Sequence, residues 1–449
     1  MPSEVLDQGN RDSRDFGKSS VKPRNVTLLV LVALFPALVA FIVLYRQSPS
    51  VPYQDDYGAI LDFAANYEQL PSWKGKLLDI ATEQSNEYKL GFEHSIVALE
   101  LEFTHRLNFG FLTALGNLLL LPIAYLLWLT YQIHETDAAR RLLDFLPVSF
   151  LFFSLTYWEN LDWAMTGLQN TPVVLFSLLA IYLLTRPVQP LFACVAAMLA
   201  AFSSANGFLL GPVGLLILLP RRAFAAAVVW CCTFVPPVVA YLYHYHSSAS
   251  LIHRFSYLTR PLFFLAFLGC AIPFRWPAAI LGLVLLAIFF LAVQQRFDRV
   301  NPAAFYSVVW ILATTALVAW VRGAVGFYTA SRYSIYSILL LIFSYGFLAR
   351  YLPGRFPMFK KRYFYSVSAV LVLAAFLVST AVAYQRLAAR RRMILAGIEF
   401  YRARPEENSP MIDPQVEQTV PQEKANEQAI LTRAIQKRIY ALPPKQEIQ

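Results

Sequence analysis

Apolar and polar positions alternate along the chain in long blocks, and the apolar blocks are each about 17 to 22 residues long. A helix of that length crosses a hydrocarbon layer of about 30 Å, because each residue adds about 1.5 Å. The blocks begin at Val26 and recur to about residue 384. The pattern therefore predicts an all-α fold, a polytopic transmembrane helical bundle of about 11 to 13 spans.

The polar blocks divide the chain into three parts. Residues 1–25 are polar and basic, and we expect them to form a disordered cytoplasmic N-terminus. Residues 26–385 hold the predicted spans, and residues 386–449 form a polar tail with one amphipathic helix at residues 425–440. The stretches around residues 273–277 are compatible with two spans or with one span and a re-entrant piece, so the parity of later spans is open.

The longest polar stretch between spans, residues 46–107, is the predicted first outer loop, which we expect on the periplasmic face. It contains two sets of apolar residues at helical spacing. The sets are Ile60, Leu61, Phe63, Ala64, Tyr67 and Leu70, and then Leu77, Leu78, Ile80 and Ala81. We predict two juxtamembrane amphipathic helices that lie in the membrane interface with their apolar faces toward lipid.

Composition supports a membrane protein and limits the classes of partner. The chain is 57% hydrophobic and 15% charged, with a formal net charge of +10. In a polytopic protein, loop Lys and Arg set orientation and attract anionic lipid, so we predict contact with membrane lipids and none with nucleic acid. The four cysteines (Cys194, Cys231, Cys232 and Cys270) lie in apolar spans and predict neither a disulfide framework nor a metal site.

Two adjacent acids, Asp55 and Asp56, follow the first span directly and are flanked by Tyr53 and Tyr57. Neighbouring carboxylates in a partly dry site repel, so the pKa of one of them rises. Such an acid can accept a proton from a sugar hydroxyl, and a pair can hold a divalent cation. The alternative is a solvated helix N-cap, a position where Asp is favoured. On chemistry alone, the two interpretations are evenly balanced.

Further polar candidates lie near predicted span ends on the same face. Glu93 and His94 are adjacent, and a histidine beside a carboxylate can shuttle protons or bind a metal; the alternative is the ordinary hydrated cap region of the second span. Two acids lie between Trp rings in the segment 158–163, which is followed by polar residues leading into the next span. Its candidate residues are Trp158, Glu159, Asn160, Asp162 and Gln169. We interpret Trp163 as a membrane-interface anchor.

Basic and amide residues supply a second set of candidates. Arg322 and the neighbours Arg332 and Tyr333 can bind a phosphate, although snorkelling at helix ends explains such arginines equally well. Asn206 lies at the tip of a predicted helical hairpin. Three histidines of a later outer loop (His244, His246 and His253) have a spacing that favours metal binding only weakly, so we assign no metal ligands.

The layout of residues 26–220 resembles the GT-C superfamily of integral-membrane glycosyltransferases, which includes protein mannosyltransferase-like and lipid A aminoarabinose transferase-like enzymes. The resemblance rests on the acidic pair in the first loop, the two helices behind it, the acids at 159 and 162, and the Asn-Gly tip at 206–207. The chain departs from some members in having no Lys at that tip.

The resemblance implies a first-loop acid as base toward the acceptor, a polyprenyl-phosphate sugar as donor and, as in some members, a divalent cation such as Mg²⁺ or Mn²⁺. We therefore expect an enzyme of the bacterial inner membrane that moves a sugar to a glycan, lipid or protein acceptor of the cell envelope, such as lipopolysaccharide. Asp55 or Asp56 would be the base, Glu159 a metal or acceptor partner, and Arg322 or Arg332 the phosphate clamp. The alternatives are an O-antigen polymerase- or ligase-like enzyme and a flippase or transporter of lipid-linked sugars.

Overall fold

The computed structural model describes residues 23–86, 88–131, 138–186, 190–246, 259–323, 330–355, 361–403 and 421–443. Residues 1–22, most of the N-terminal segment predicted to be disordered, lie outside these ranges, as do His253 and most of the predicted linker of the tail. The described chain is almost entirely helical, and its strands are a two-residue pair in the first loop. The all-α prediction is therefore confirmed.

Eight helical segments of the described chain are long and apolar enough to cross a membrane. They are Val26–Gln47, Phe109–Tyr131, Ala164–Leu184, Phe224–Leu242, Arg275–Gln294, Pro302–Arg322, Ser331–Leu352 and Tyr363–Glu399. Three shorter apolar helical segments, Pro190–Ser203, Ala205–Leu218 and Thr259–Leu268, lie between them. The chain is a multi-pass membrane protein.

The first loop connects α1 (Pro23–Gln47) to the second span through short elements. In order these are a π-helix (Tyr57–Asp62), α2 (Phe63–Tyr67), α3 (Trp73–Thr82), β1 (Gln84–Ser85), β2 (Tyr88–Lys89) and α4 (Gly91–Thr104). The strands β1 and β2 pair antiparallel, with Gln84 opposite Lys89 and Ser85 opposite Tyr88. The predicted helices of this loop are confirmed.

The central part of the chain consists of apolar helices and short connecting turns. They are α5 (Phe109–Leu118), α6 (Leu120–Tyr131), α7 (Ala138–Phe152), α8 (Trp158–Asp162), α9 (Ala164–Leu184), α10 (Pro190–Ser203), α11 (Leu210–Leu218), α12 (Phe224–Thr233), α13 (Val235–Leu242) and α14 (Thr259–Leu268). Three-residue and five-residue 3₁₀ turns at Leu155–Tyr157 and Ala205–Leu209 precede α8 and α11.

The remaining helices of the described chain include the longest one. They are α15 (Arg275–Gln294), α16 (Phe297–Val300), α17 (Pro302–Arg322), α18 (Ser334–Arg355), α19 (Lys361–Ala403) and α20 (Pro421–Gln436), with a 3₁₀ turn at Ser331–Tyr333. The helix α19 has 43 residues and continues well beyond the predicted boundary of the tail at residue 386. At about 1.5 Å per residue, it extends past the hydrocarbon layer on one side.

The helix α14 does not cross to the opposite side. A Cβ added to Gly323, after the end of α17, would lie 3.1 Å from Arg260 Cα near the start of α14. Just past its other end, Ser334 Oγ at the start of α18 donates a hydrogen bond to Cys270 O at 2.8 Å. Both ends of α14 thus lie near the same face. Of the alternatives left open around residues 273–277, the structure has one long span, α15, and one short helix, α14.

Buried apolar side chains form two main clusters. The bundle core lies among the spanning helices, and the loop–tail core lies among the first loop, the end of α19 and α20. In the loop–tail core, Ile60 and Leu61 of the π-helix pack with Leu431 and Ala434 of α20. The lipid-facing orientation predicted for this first amphipathic segment is therefore wrong, because the tail covers it. In α3, by contrast, Leu77 is 56% exposed, as expected of an interfacial helix.

Candidate functional site

The carboxylate of Asp56 is buried and bonded to two backbone N–H groups. Its Oδ2 accepts from Tyr53 N at 2.9 Å, and its Oδ1 accepts from Met165 N at 2.8 Å. Met165 lies in the first turn of α9, so Asp56 supplies an acceptor to the start of a distant helix, whose free N–H groups favour negative charge. Burial nevertheless raises the pKa of Asp56 to about 8, and the charge of Asp55 contributes less to that rise.

Asp55 occupies a different environment from its neighbour. Its side chain is half-buried, and its Oδ1 accepts a hydrogen bond from Asn86 Nδ2 at 3.2 Å. Gln54, immediately before it, has a left-handed backbone with φ 46°, which is uncommon for a residue other than glycine. Among the described residues, the Asp55 Oδ2 atom accepts no hydrogen bond, whereas both oxygens of Asp56 accept one.

Glu93 and His94 lie in the interior behind the acidic pair. Neither Glu93 oxygen has a hydrogen-bond partner in the described part of the chain, and the residue is 1% exposed. Burial, with smaller contributions from Asp56 and Asp55, raises the pKa of Glu93 well above its ordinary value. His94 stacks on the ring of Phe63 with centroids 4.0 Å apart, and burial lowers its pKa to about 4. The lowered pKa keeps His94 neutral at pH 7, and the raised pKa of Glu93 favours its protonated form.

Glu159 connects α8 to the turn that precedes α18. Its Oε2 accepts from Ser331 Oγ at 2.6 Å and from Arg332 N at 3.1 Å. Asn160 Nδ2 donates to Arg332 O at 2.7 Å, and Asn170 Nδ2 donates to Asn160 Oδ1 at 3.1 Å. These contacts fix the backbone of Arg332 on both sides, and they confirm that Arg332 lies on the same face as the acids.

Arg390 belongs to the segment that was predicted to be the polar tail, and it lies against Glu159 and Asp162. Its guanidinium lies 3.6 Å from Glu159 Oε1 and 3.7 Å from Asp162 Oδ2. Its Cζ lies 4.5 Å from the ring centroid of Tyr53 and 4.3 Å from that of Trp158, within range for cation–π contacts. We call these five residues the Arg390 cluster. It joins the first loop, α8 and α19.

The sequence contained only an indirect signal for Arg390. The basic run Arg390, Arg391 and Arg392 follows an apolar span and resembles an ordinary membrane-end signal. Because α19 is continuous, Arg390 lies about 40 Å along the helix from Tyr363, beyond a hydrocarbon layer of about 30 Å. Only the continuity of the helix places this one arginine against the acids.

The two candidate phosphate-binding arginines differ in their partners. The guanidinium of Arg322 bonds to the hydroxyl of Tyr88 in the first loop. The guanidinium of Arg332 lies over the rings of Trp163 and Tyr333, at 5.6 and 5.5 Å from their centroids. Among the described residues, no carboxylate forms an ion pair with Arg332, so its N–H donors remain available to an anion.

Other predicted site residues are buried in packing contacts. Tyr57 is 1% exposed and lies in the loop–tail core. Asn206 Nδ2 donates to Tyr336 Oη at 2.8 Å, and Trp310 Nε1 donates to Asn206 O at 3.2 Å, so the hairpin tip is fixed against α17 and α18. Gln169 is 7% exposed within α9. Roles for these three in substrate binding stay predictions.

The acids do not form an evident cation site. Within the described ranges, no group of three or more His, Cys, Asp or Glu side chains is arranged to hold a metal ion. Between Glu159 and Asp162, the guanidinium of Arg390 occupies the position that a cation would take, and both Asp56 oxygens accept N–H bonds. These contacts do not fit Mg²⁺ or Mn²⁺ at either place, and a divalent cation stays a prediction of the resemblance alone.

Two aromatic side chains, Tyr53 and Trp163, connect the acidic pair to Arg332. Tyr53 packs edge-on against Trp163 with centroids 5.4 Å apart, and the other contacts of Trp163 include the Arg332 guanidinium. The arrangement places one half-buried acid, Asp55, and one available guanidinium, that of Arg332, on a single face, which suits proton transfer and anion binding.

Comparisons of the chain with protein-family models, with curated proteins and with solved structures found no match.

Proposed function

We propose that this protein is a GT-C-type membrane glycosyltransferase that moves a sugar from a polyprenyl-phosphate carrier to a cell-envelope acceptor at the periplasmic face of a bacterial inner membrane. The observation that carries the proposal is that one aspartate and one arginine are held by structural contacts and one of each is not. Asp56 accepts bonds from backbone N–H groups, whereas Asp55 is half-buried with one oxygen that accepts no bond. Arg322 bonds to Tyr88, whereas the guanidinium of Arg332 remains available to an anion. One base and one anion-binding group thus remain on one face.

In the proposed reaction, an acceptor hydroxyl oxygen attacks the anomeric carbon of the donor sugar. The bond between that carbon and the phosphate oxygen breaks, and the carrier phosphate leaves with the bonding electrons. Asp55 takes the hydroxyl proton, and Arg332 stabilises the negative charge that develops on the phosphate. Glu159 acts as a positioning residue, because it holds the backbone N–H of Arg332.

The location of buried charge favours an enzyme over a flippase or transporter. Transporters place ionisable groups near the middle of the membrane, at the interface between repeated halves. Among the described residues, the buried Asp, Glu, Lys and His side chains all lie in the first loop or in α8. They are Asp56, Lys89, Glu93, His94, Glu100 and Asp162. A crossing count of eleven is part of the same proposal: it adds α7, Pro190–Ser203 and Ala205–Leu218 to the eight long segments and leaves out α14.

The test uses the purified full-length protein with radiolabelled polyprenyl-phosphate sugars and membrane-extract acceptors. We expect Asp55→Asn to lower the rate of transfer by at least about 100-fold with the fold intact, as the loss of a general base does. Asp298→Asn, on α16 away from the first loop, is the matched control and should retain full activity. Full transfer by Asp55→Asn would refute the assignment of the base.

A test of the anion-binding role follows separately. Arg332→Gln keeps the backbone contacts with Glu159 and Asn160 but removes the charge. We expect the apparent affinity for the lipid-linked donor to fall by roughly tenfold or more, the loss of one charge-assisted hydrogen bond. Arg275→Gln, in an exposed position at the start of α15, is the control. Equal affinities for the two variants would show that Arg332 does not hold the phosphate.

A further inference from the structure

A second site lies away from the acidic pair, where α4, the start of α5 and residues 440–443 meet. It is a cavity of about 810 Å³ that opens between these elements. Its walls are largely apolar and include Leu99, Phe103 and Leu442. Its volume is in the range of cavities that hold small molecules or lipid groups.

Two residues that line this cavity each carry a buried polar atom with no hydrogen-bond partner within the described ranges. These atoms are Glu100 Oε2 and Tyr440 Oη, and the two residues are 7% and 3% exposed. The other oxygen of Glu100 accepts from Asn108 N at 3.0 Å, so the side chain is held in place. Buried polar atoms without partners cost free energy, and a ligand that bonds to both would remove that cost.

The cavity spans the level at which the chain enters the membrane. Ser50, on its wall, follows the end of the first span at Gln47, and Asn108 precedes the start of the second at Phe109. Leu115, also on the wall, lies about 9 Å further along that span at 1.5 Å per residue. The polar end of the cavity therefore lies at headgroup level and its apolar end lies within the hydrocarbon layer.

The charged residues of the cavity include one acid and one base. Arg106 is exposed at the rim, and no carboxylate of the described chain forms an ion pair with it. A ligand with one anionic and one hydrogen-bonding cationic group satisfies both residues. A lipid with only an anionic headgroup would leave Glu100 without a favourable partner.

We infer that this cavity binds a phospholipid with an ethanolamine headgroup. Its phosphate contacts Arg106, its ammonium group donates to Glu100 and contacts the Tyr440 hydroxyl, and an acyl chain lies along Phe111 and Leu115. The proposal is independent of glycosyl transfer, because none of these residues belongs to the Arg390 cluster or the acidic pair.

Native mass spectrometry of the full-length protein in mild detergent tests the proposal. The protein is incubated with equal amounts of phosphatidylethanolamine, phosphatidylglycerol and phosphatidylcholine, which share their acyl chains. We expect one phosphatidylethanolamine to be retained at least about fivefold over the other two, because choline has no N–H donor and glycerol has no cation. Equal retention of the three lipids by the wild-type protein would overturn the assignment.

Conservative variants locate the site. Glu100→Gln keeps the acceptor for Asn108 N and should lower phosphatidylethanolamine retention roughly tenfold, the effect of one hydrogen bond to a charged group. Glu102→Gln is the matched control, because Glu102 bonds to Lys76 and Tyr67 outside the cavity. This variant should retain phosphatidylethanolamine as the wild-type protein does. Equal retention by these two variants would contradict the proposal.

Tyr440→Phe keeps the edge-on contact with Phe109 at 5.5 Å and removes only the hydroxyl. It should lower phosphatidylethanolamine retention about threefold, and it serves as the decisive variant if Glu100→Gln fails to fold. Wild-type retention by a folded Tyr440→Phe variant would remove Tyr440 from the site. If Glu100→Gln cannot be folded, that same result would overturn the proposal.

Discussion

The bundle core and the loop–tail core are built from similar apolar side chains but differ in the polar residues buried with them. In the bundle core the buried polar residues are neutral, and many bond within their own helix, as Thr130 Oγ1 does to Leu126 O at 2.8 Å. In and beside the loop–tail core, acids such as Asp56 and Glu93 are buried. The difference teaches that the described chain concentrates its buried ionisable side chains on one face, where function is to be sought.

The largest expected effect is at the Arg390 cluster. Replacing Arg390 by Met leaves Glu159 and Asp162 without their cation, and breaking a buried ion pair costs about 3 to 5 kcal/mol. Thermal unfolding of the purified protein in detergent should show a lower midpoint. Arg392→Met, two residues along the same helix, removes an exposed charge and should leave the midpoint almost unchanged. Equal midpoints would show that the cluster contributes no stability.

The second effect separates the two neighbouring aspartates. Asp56→Ala leaves the buried N–H groups of Tyr53 and Met165 without acceptors, at a cost of about 2 to 4 kcal/mol for the two. Asp55→Ala should change the unfolding free energy by no more than about 0.5 kcal/mol, since its side chain is half-open. Denaturant titration measures both, and equal losses would contradict the division of roles between them.

The third expected effect is an unusual dependence of stability on pH. Burial raises the pKa of Asp56 to about 8 and the pKa values of Asp162 and Glu100 to about 7, so the folded state binds protons that the unfolded state has released. Stability should therefore rise as the pH falls from 8 to 6.5, by up to about 1.4 kcal/mol per group for each pH unit.

That pH window stops at 6.5 for a physical reason. His94 is buried with its pKa lowered to about 4, so below pH 6.5 the unfolded state gains a proton there, and this gain offsets part of the stabilisation that the buried acids still provide. Midpoints of thermal unfolding at pH 8, 7.3 and 6.5 provide the measurement. A midpoint that is highest at pH 8 would show that the buried acids are ionised in the folded protein.

The smallest effect is expected in the bundle core. Thr130→Val removes one hydroxyl that bonds to its own helix, and hydrogen bonds between membrane helices average about 0.6 kcal/mol. The midpoint should move by about one degree or less. A loss as large as that of Asp56→Ala would erase the contrast between the two cores.

Much of the fold could be predicted from sequence because span length and local periodicity are local properties. The apolar blocks, the helices around Ile60 and Leu77 and the tail helix were all evident as patterns, and each is helical in the structure. The boundary of α19 was not, because the polar residues after 385 conceal a helix that continues to Ala403. The hydropathy pattern marks where the membrane ends, and the helix does not end there.

The candidate site was predictable in its residue types and not in its pairings. Asp56 bonds to Met165, which lies 109 residues further along the chain, and no local pattern reveals such a partner. The same holds for Arg390, whose contacts with Glu159 and Tyr53 join three separate parts of the chain. Which member of each neighbouring pair is occupied by a structural contact depends on tertiary packing alone.

The docking of α20 on the first loop has a consequence for how the protein is made. The π-helix after the first span packs against Leu431 and Ala434, so an early-synthesised segment completes its core only after α20 has been synthesised. All the spans have been synthesised, and α20 has reached the loop's side of the membrane, before that core can close. A chain that stops after α19 would insert its spans and leave Ile60 and Leu61 uncovered, exposed to quality-control proteases on that side.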